Sequence, residues 1–338
     1  MFNNEKLGRK SGTKPHIHLL PMAALVLFGL IALAGVAAAD NVYKATPPVE
    51  VLFGTLNDNI SVDCVDAWNA SANRTAGNEQ KVWANFTLND APSDVDLEFA
   101  RLYVVVYSGN MSANYTGHVS VGLYNDTNYL AQLAAYQPLD LPYNLSAGNE
   151  YNESVVSPLV SLTRVTSDYL LIFNITDTIQ EMGTTKLNLN ISTWNTTGNF
   201  DGRVKNVQLI TGYSDSGKEG DTIHYWINEG FDTVTKYSSP VPYYGETYFN
   251  ISGVEDPSKV KLWVGLQNNV TKNAGAYKWN NVTINNTEIM CSGTYGGLIY
   301  ANLTPSYYSL QNNNLLEYNN GTNSWYKIHT AILAIEEG

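Results

Sequence analysis

A chain of 338 residues, 44% hydrophobic and 15% charged, is long enough for two domains of ordinary size and apolar enough to fill their cores. Its 19 basic residues stand against 31 acidic ones, a net charge of −12, with no cluster of Lys or Arg beyond the first fourteen residues. Such a surface repels phosphate backbones, which excludes nucleic acid as a partner.

The chain begins with Lys6, Arg9, Lys10 and Lys14, then an apolar run from Leu19 to Ala39 that ends in Ala37-Ala38-Ala39 before Asp40. That order predicts a signal peptide over residues 1–39, cleaved after Ala39. The alternative is an uncleaved N-terminal membrane anchor, since a run of roughly 20 residues can cross a bilayer; Pro21 and the Ala/Gly-rich end favour cleavage. In either case the rest of the chain lies outside the cytoplasm, and membrane contact is limited to this segment. Without its four basic residues and Glu5, 15 basic and 30 acidic residues remain, a charge that favours solubility.

After an extended segment over residues 40–51, no stretch carries a sustained 3.6-residue apolar period of helical length. Short alternating or β-branched runs recur instead: VWANFTL from Val82, ARLYVVVY from Ala100, HVSVGLY from His118, DYLLIFNI from Asp168, KLNLNIS from Lys186, KVKLWVGL from Lys259 and HTAILAI from His329. Turn sequences such as APSD, NTTGN, EDPS and NNGTN separate them, so the predicted fold is all-β.

An internal repeat is visible within this pattern. ANFTLNDAPSDVDLEFARLYVVVYS, from Ala84, resembles YFNISGVEDPSKVKLWVGLQN, from Tyr248, and FNITDTIQEMGTTKLNLNI, from Phe173, resembles ANLTPSYYSLQNNNLLEYN, from Ala301. Each half then closes on an Asn/Gly turn and a final apolar strand. The prediction is two tandem β-sandwich lobes of jelly-roll type, over residues 52–235 and 247–338, joined by the Pro-containing linker 236–246. The first lobe is lengthened by a loop insertion around Ser108 to Val165, the kind of segment in which binding sites occur.

Eighteen N-x-S/T sequons run along the chain, at Asn59, Asn69, Asn73, Asn85, Asn110, Asn114, Asn125, Asn144, Asn152, Asn174, Asn190, Asn195, Asn250, Asn269, Asn281, Asn285, Asn302 and Asn320. With 39 Asn and 51 Ser plus Thr in 338 residues, chance would give about six. Clustering of Asn and Thr at turns accounts for part of this threefold excess; N-glycosylation of an exported protein accounts for the remainder. Cys64 and Cys291 are the only cysteines. In an exported chain they predict one disulfide, with two buried free thiols as the alternative.

GDTIHYWINEGFDTV, Gly220 to Val234, has the look of an active site because it gathers His224, Glu229 and Asp232. Alternation in TIHYWIN instead predicts a strand with Ile223, Tyr225 and Ile227 on one face and His224, Trp226 and Asn228 on the other, then a turn at Asn228-Glu229-Gly230. His118, His224 and His329 each fall in an alternating run and read as outward-facing. None has a second His or Cys at ligand spacing, so no transition-metal site is expected. Asp94, Asp96 and Glu98 alternate along DVDLEF and describe a solvated edge.

There is no GxSxG motif, no Cys-His pair and no phosphate loop, and the expectation is that the chain is not an enzyme; paired glycosidase carboxylates leave no such signature. No cofactor is expected. The exception would be calcium, for which Asp215, Glu219 and Asp221 offer oxygen ligands in one Gly-containing loop; the spacing is not that of an EF-hand, and a solvated hairpin loop explains them better. Of the seven Trp, Trp83, Trp226 and Trp263 lie in apolar strands and read as core, whereas Trp68, Trp194, Trp279 and Trp325 lie in polar stretches and are the candidates for stacking against sugar.

Phe200-Asp201-Gly202-Arg203, the long apolar strand Val204 to Tyr213 and then Tyr225-Trp226-Ile227-Asn228-Glu229-Gly230 form an order that resembles a domain-of-unknown-function family of exported methanogen proteins. GTLNDNISV and ARLYVVVYSG upstream, with GETYFNISGVEDPSKVKLWVGL downstream, fit the same family, so the likeness spans nearly the whole chain after Asp40. The resemblance implies an archaeal cell-surface or cell-envelope protein of adhesin-like character and assigns it no catalytic residues. The expected function is therefore structural or adhesive. Its partners would be envelope glycans, other surface proteins, or further copies of itself. A carbohydrate-binding module is one alternative; a filament subunit in which the 40–51 segment pairs with a neighbouring sandwich is another.

Overall fold

The computed structural model describes residues 46–67, 78–109, 115–141, 157–215, 217, 222–234, 243–267, 275–292, 295–319, 321 and 326–338. It contains nineteen strands and one helical turn. In chain order the strands are β1 (Thr46–Leu56), β2 (Asn59–Asp66), β3 (Glu79–Thr87), β4 (Asp96–Tyr107), β5 (Thr116–Asn125), β6 (Asn128–Leu139), β7 (Leu159–Val165), β8 (Asp168–Asn174), β9 (Lys186–Thr197) and β10 (Val204–Ser214). They continue as β11 (Ile223–Val234), β12 (Tyr244–Asn250), β13 (Pro257–Gln267), β14 (Ala276–Trp279), β15 (Val282–Thr283), β16 (Thr287–Ser292), β17 (Gly297–Asn302), β18 (Asn313–Asn319) and β19 (Tyr326–Glu337). The helical turn, α1 (Thr176–Ile179), follows β8.

Four antiparallel sheets stack in layers. A first outer sheet has the order β3-β9-β5-β6 and a first inner sheet β2-β10-β4-β8-β7; a second inner sheet runs β1-β11-β19-β13-β17-β16 and a second outer sheet β12-β18-β14-β15. Adding nine to each strand number of the first pair gives the second pair in the same order, with β1 as an extra edge strand. Within each pair the order is that of a jelly roll with one added hairpin strand. The repeat seen in the sequence is thus a full duplication of a nine-strand unit.

Because β11 is the counterpart of β2, the second unit begins at Ile223. The strand expected to close the first lobe opens the second, and the segment 236–246 connects β11 to β12, two strands of one unit. The N-terminal segment differs from expectation too. Residues 46–51 form part of β1, which pairs antiparallel with β11 of the same chain, Glu50 opposite Asn228 and Phe53 opposite Trp226, so this strand is used within its own sheet.

The layering explains two kinds of strand sequence. Outer strands have one wet face and alternate: in β3, Val82, Ala84 and Phe86 are buried while Trp83, Asn85 and Thr87 are exposed. Inner strands are covered on both faces: β4 and β8 carry long apolar runs, while β10 and β19 are buried almost throughout with polar residues among the apolar ones. The resulting cores lie between successive layers. Phe86, Val121 and Leu189 meet Leu102, Leu171 and Leu209 between the first two sheets. Trp226, Leu262 and Leu333 meet Phe249, Trp279 and Leu316 between the last two. Between the inner sheets, Ile60, Tyr103, Val105 and Ile210 pack on Tyr225, Ile227, Trp263 and Ile332.

The inner sheets face each other with β2 against β16 and β17, and β7 against β11. Exchanging each strand for its counterpart turns the β2–β16 contact into the β11–β7 contact, so the two units meet across an approximate pseudo-twofold. Cys64 of β2 and Cys291 of β16 are joined by a disulfide with Cα atoms 6.0 Å apart, linking the two inner sheets at that edge.

Candidate functional site

His224, Glu229 and Asp232 of the 220–234 stretch are sent to three different places. The alternation of β11 holds: Ile223, Tyr225 and Ile227 face the first inner sheet, and Trp226 faces the second outer one. Asn228-Glu229-Gly230 is not a turn; β11 continues through it with a shift of register against β19 between Glu229 and Asp232. His224 is half-buried beside Glu337, Nε2 to Oε1 3.1 Å. Asp232 points the other way from Glu229 and accepts from Tyr318 Oη at 2.6 Å and from the Thr233 amide at 2.8 Å. Burial pushes the Asp232 carboxyl up to about 6, against the lowering effect of those bonds.

Glu229 belongs to a polar seam between the inner sheets. Arg101 of β4 grips it through both oxygens, Nε to Oε1 3.0 Å and Nη2 to Oε2 2.8 Å, and Tyr103 Oη donates to Oε1 at 2.7 Å. Burial acts to lower the Arg101 guanidinium; the Glu229 charge outweighs it and holds Arg101 above its ordinary range. Burial and the same carboxylate drive the Tyr103 phenol well above its usual value. Further along, Gln208 of β10 bonds Thr330 of β19 at 3.1 Å, and Gln267 of β13 donates to Asn206 of β10 at 2.8 Å.

His329, expected to face outward, is fully buried in this seam, its ring stacked 6.1 Å from that of Tyr103. Both faces of β19 are covered, and a register shift against β13, where Gly265 opposes Thr330 and Leu266 opposes Ile328, decides which face His329 takes. The extra residue turns His329 and Thr330 together toward the first inner sheet. Gly265 provides the room: a Cβ there would lie 2.2 Å from Gln208 Oε1, 2.3 Å from Thr330 Oγ1 and 2.4 Å from His329 Cε1. Burial pushes the His329 imidazole down to about 3, so it is neutral at any physiological pH.

At the β7 and β8 end, Asp168 is completely buried between Lys205 of β10, 2.7 Å away, and Lys327 of β19, which also donates to Val165 O at 3.2 Å. Burial lowers Lys327 to about 8 against the raising effect of Asp168. For Asp168 itself burial raises, but the two ammonium groups outweigh it and its carboxyl lies below the usual range. Lys205 also sits over the rings of Tyr107 at 4.8 Å and Tyr295 at 5.9 Å. Chemically, the seam is a set of ion pairs and hydrogen bonds, Arg101 with Glu229 and Asp168 with two lysines, that joins one inner sheet to the other.

The second feature is on the outside. The wet face of the first outer sheet carries Trp83 on β3, Tyr124 on β5 and Tyr129 on β6, with ring centroids 5.2 Å and 5.4 Å apart in turn. Beside them Tyr136 stacks on His118 at 3.9 Å and tilts against Trp194 at 5.2 Å. Trp194 therefore lies in an outward aromatic cluster. Trp279 does not: it is fully buried, 5.7 Å from Phe249. Trp83, assigned to the core from its apolar neighbours, is 50% exposed. The alternation Val82, Ala84, Phe86 was the signal that placed it outward. Trp226 and Trp263 are buried, and Trp68 and Trp325 lie outside the described residues.

Ten of the eighteen sequons fall within the described residues. Asn85, Asn174, Asn250, Asn281, Asn285 and Asn302 are exposed, and Asn59, Asn125 and Asn190 are half-buried. Asn195 differs: it is 4% exposed and its amide donates to Gly198 O at 3.3 Å, which leaves no space for a sugar on the folded chain. Asn69, Asn73, Asn110, Asn114, Asn144, Asn152, Asn269 and Asn320 lie outside the described residues.

Of the calcium candidates, Glu219 and Asp221 are also outside them. Asp215 closes a turn: its Oδ1 accepts from the Gly217 amide at 2.8 Å, while its own amide donates to Asn57 Oδ1 at 2.8 Å. Among the described residues no group of three His, Cys, Asp or Glu is placed to share a metal ion. Asp94, Asp96 and Glu98 are all exposed, at the start of a central strand and not on an edge. No described helix is long and apolar enough to cross a membrane.

Residues 42–336 match a family described as "Protein of unknown function (DUF3344)". No curated protein matches the chain in sequence. Among solved structures it is similar to PNGase F, a glycosylasparaginase from Flavobacterium meningosepticum, at 11% identity over 82% of this chain and 96% of that one, with a TM-score of 0.24. A secreted-type protein from Parabacteroides distasonis matches at 9% identity over 87% of this chain and 99% of the other, TM-score 0.25. The pilus backbone RrgB from Streptococcus pneumoniae matches at 10% identity over 80% and 83%, TM-score 0.26. The expectation that the chain is not an enzyme is corrected on this point, because an amidase stands among the solved structures it is similar to. At these scores the likeness assigns no reaction, ligand or assembly to this chain.

Proposed function

We propose, for a chain that belongs to the DUF3344 family, the role of an exported, N-glycosylated protein of an archaeal cell surface, serving as an envelope component or adhesin. The observation that carries this reading is the placement of the sequons. Six of the ten described sequon asparagines are exposed and three half-buried, spread over both outer sheets, the ends of inner strands and the loop after β15. A threefold excess of a motif is informative when the residues also stand where a transferase or a bulky sugar can reach them. The leader at residues 1–39 supports the same reading, since it supplies the route out of the cytoplasm.

In this reading the protein works by presentation. Two units locked together by buried ion pairs and a disulfide hold sugar-bearing faces in fixed orientation, leaving loops free to engage a partner. Mass spectrometry of the protein purified from its own cell envelope tests it. A mature N-terminus at Asp40 with hexose-bearing peptides at several of these asparagines is the expected result; recovery from the cytosol with every sequon bare would overturn it.

A second reading, carbohydrate binding, is favoured by the outward cluster of His118, Tyr136 and Trp194. Saturable binding on a glycan array, abolished by Trp194→Ala with the fold intact, is its expected signature.

A further inference from the structure

Two large aromatic side chains stand half-exposed at corresponding places in the two units. Trp83 on β3 and Tyr248 on β12 are each 50% exposed, and β3 and β12 are the edge strands of the two outer sheets. Two residues further along each strand comes a sequon asparagine: Trp83-Ala84-Asn85-Phe86-Thr87 in one unit and Tyr248-Phe249-Asn250-Ile251-Ser252 in the other. Side chains two apart on a strand share a face, and burial confirms it here. Ala84, Phe86, Phe249 and Ile251 are buried, whereas Trp83, Asn85, Thr87, Tyr248, Asn250 and Ser252 are exposed.

From this repeated placement we infer that Asn85 and Asn250 carry N-linked glycans whose first sugar lies on the ring of Trp83 and Tyr248 respectively, covering the edge of each outer sheet. The inference rests on the glycoprotein reading above. In the transfer that makes the linkage, the side-chain amide nitrogen forms a bond to the anomeric carbon of a glycosyl diphosphate donor. The bond from that carbon to the diphosphate oxygen breaks, the diphosphate leaves with the electron pair, and the amide gives up one proton.

The physical case has three parts. A pyranose presents a face of axial C–H groups that is both apolar and weakly positive, which suits the negative face of an indole or phenol ring. The distance fits: same-face neighbours on a strand are separated by about 6.6–6.8 Å along the chain, about the reach of one sugar ring. The register supplies the surroundings as well. Trp83 faces Asn190 and Asn85 faces Asn188 on β9, and Asn250 faces Asn313 on β18, so amide groups flank the sugar with hydrogen-bond donors and acceptors.

An uncovered edge strand invites pairing with another chain. Among the described residues neither β3 nor β12 has a ladder partner beyond it in its sheet, although Asn228 Nδ2 of β11 donates to the Tyr248 carbonyl at 2.8 Å, and each has an outward aromatic residue that increases the hazard. A sugar seated on that residue removes the apolar surface and blocks lateral approach at once. The same device at both positions of the duplication accounts for why two edges keep an exposed ring beside a sequon.

The test is a double-mutant cycle in protein made in an N-glycosylating host and, separately, in a host without the pathway. Peptide mass spectrometry first reads occupancy. The expected result is glycan at Asn85 and Asn250, and in the glycosylated protein a roughly fivefold loss in the folding equilibrium constant for Trp83→Ala that disappears once Asn85→Gln is present. Tyr248→Ala with Asn250→Gln repeats the measurement independently in the second unit. Coupling absent in the unglycosylated protein completes the support. Occupied sequons elsewhere with Asn85 and Asn250 bare would overturn this inference and leave the glycoprotein reading standing, as would occupied sites with additive effects; no glycan at any sequon would overturn both.

Discussion

The interior of this protein is built in two ways. Within each unit the layer between sheets is mainly apolar, filled by residues such as Leu102, Leu171 and Leu189 in the first and Leu262, Phe249 and Leu316 in the second, where Asp232 bonded to Tyr318 is the buried carboxyl. Between the units the inner sheets bury charge as well: Arg101 with Glu229, and Asp168 with Lys205 and Lys327. Apolar packing tolerates a small slide or rotation, but a carboxylate buried between two ammonium groups does not. The difference teaches that the units fold on hydrophobic burial, while their mutual register is specified by ion pairs whose net contribution to stability is small.

The comparison breaks first at Asp168. Asp168→Ala leaves two buried lysines without their counterion and is expected to cost about 3–5 kcal/mol, read as a drop in the urea midpoint. Replacing Asp168, Lys205 and Lys327 together by Leu, Met and Met should recover most of that loss. Leu102→Ala, in the apolar layer, should cost about 2–5 kcal/mol with no such rescue available from a charged neighbour.

Removing the Cys64–Cys291 bridge by a double Ala substitution comes next. It ties residues 227 apart in sequence, and about 2–4 kcal/mol is the expected loss. Chemical denaturation of wild type with and without reductant checks it independently.

Two buried groups then give opposing pH dependences. His329, held near 3 against an ordinary value of 6.5, binds no proton when folded but does when unfolded, so its contribution is present above about pH 6.5 and is lost as pH falls toward 3. Asp232, raised to about 6, holds its proton longer when folded, so its contribution is present at low pH and is lost as pH rises through about 4 to 6. Asp232→Asn should therefore remove a loss of roughly 2–3 kcal/mol between pH 4 and 6 and steepen the remaining rise in stability with pH; thermal melts across pH 3–7 measure it. The smallest effect is expected at the surface: Trp83→Ala in protein lacking glycan should change stability by less than about 0.5 kcal/mol.

Much of the architecture was legible because it depends on local alternation. Continuous runs such as LYVVVY marked strands covered on both faces, and VWANFTL marked one with a wet face. The likeness of ANFTLNDAPSD to YFNISGVEDPS revealed the duplication. What escaped depended on partners far away in sequence. Pro240 and Pro242 look like a boundary, yet β11 joins the second unit because its ladder is with β19. His329 alternates along its own strand but is buried because β19 is covered on both faces, and a register shift against β13 turns it toward the first unit. Glu229 looked like part of a turn until Arg101, 128 residues away, was found holding it. Trp279 sits among polar neighbours whose polarity is used at the turn beside it, where Asn280 bonds Leu315 and Asn314.

The added strand β1 has a mechanical consequence. It runs antiparallel to β11, which runs antiparallel to β19, so Thr46 and Glu337 lie at opposite ends of a three-strand ribbon, near Phe231 and Ile223. Tension applied between those two points pulls β1 and β19 lengthwise in opposite directions and strains the rungs of both ladders together instead of unzipping them one after another. The first unit is left outside the line of force, free to keep its shape while the second bears the strain.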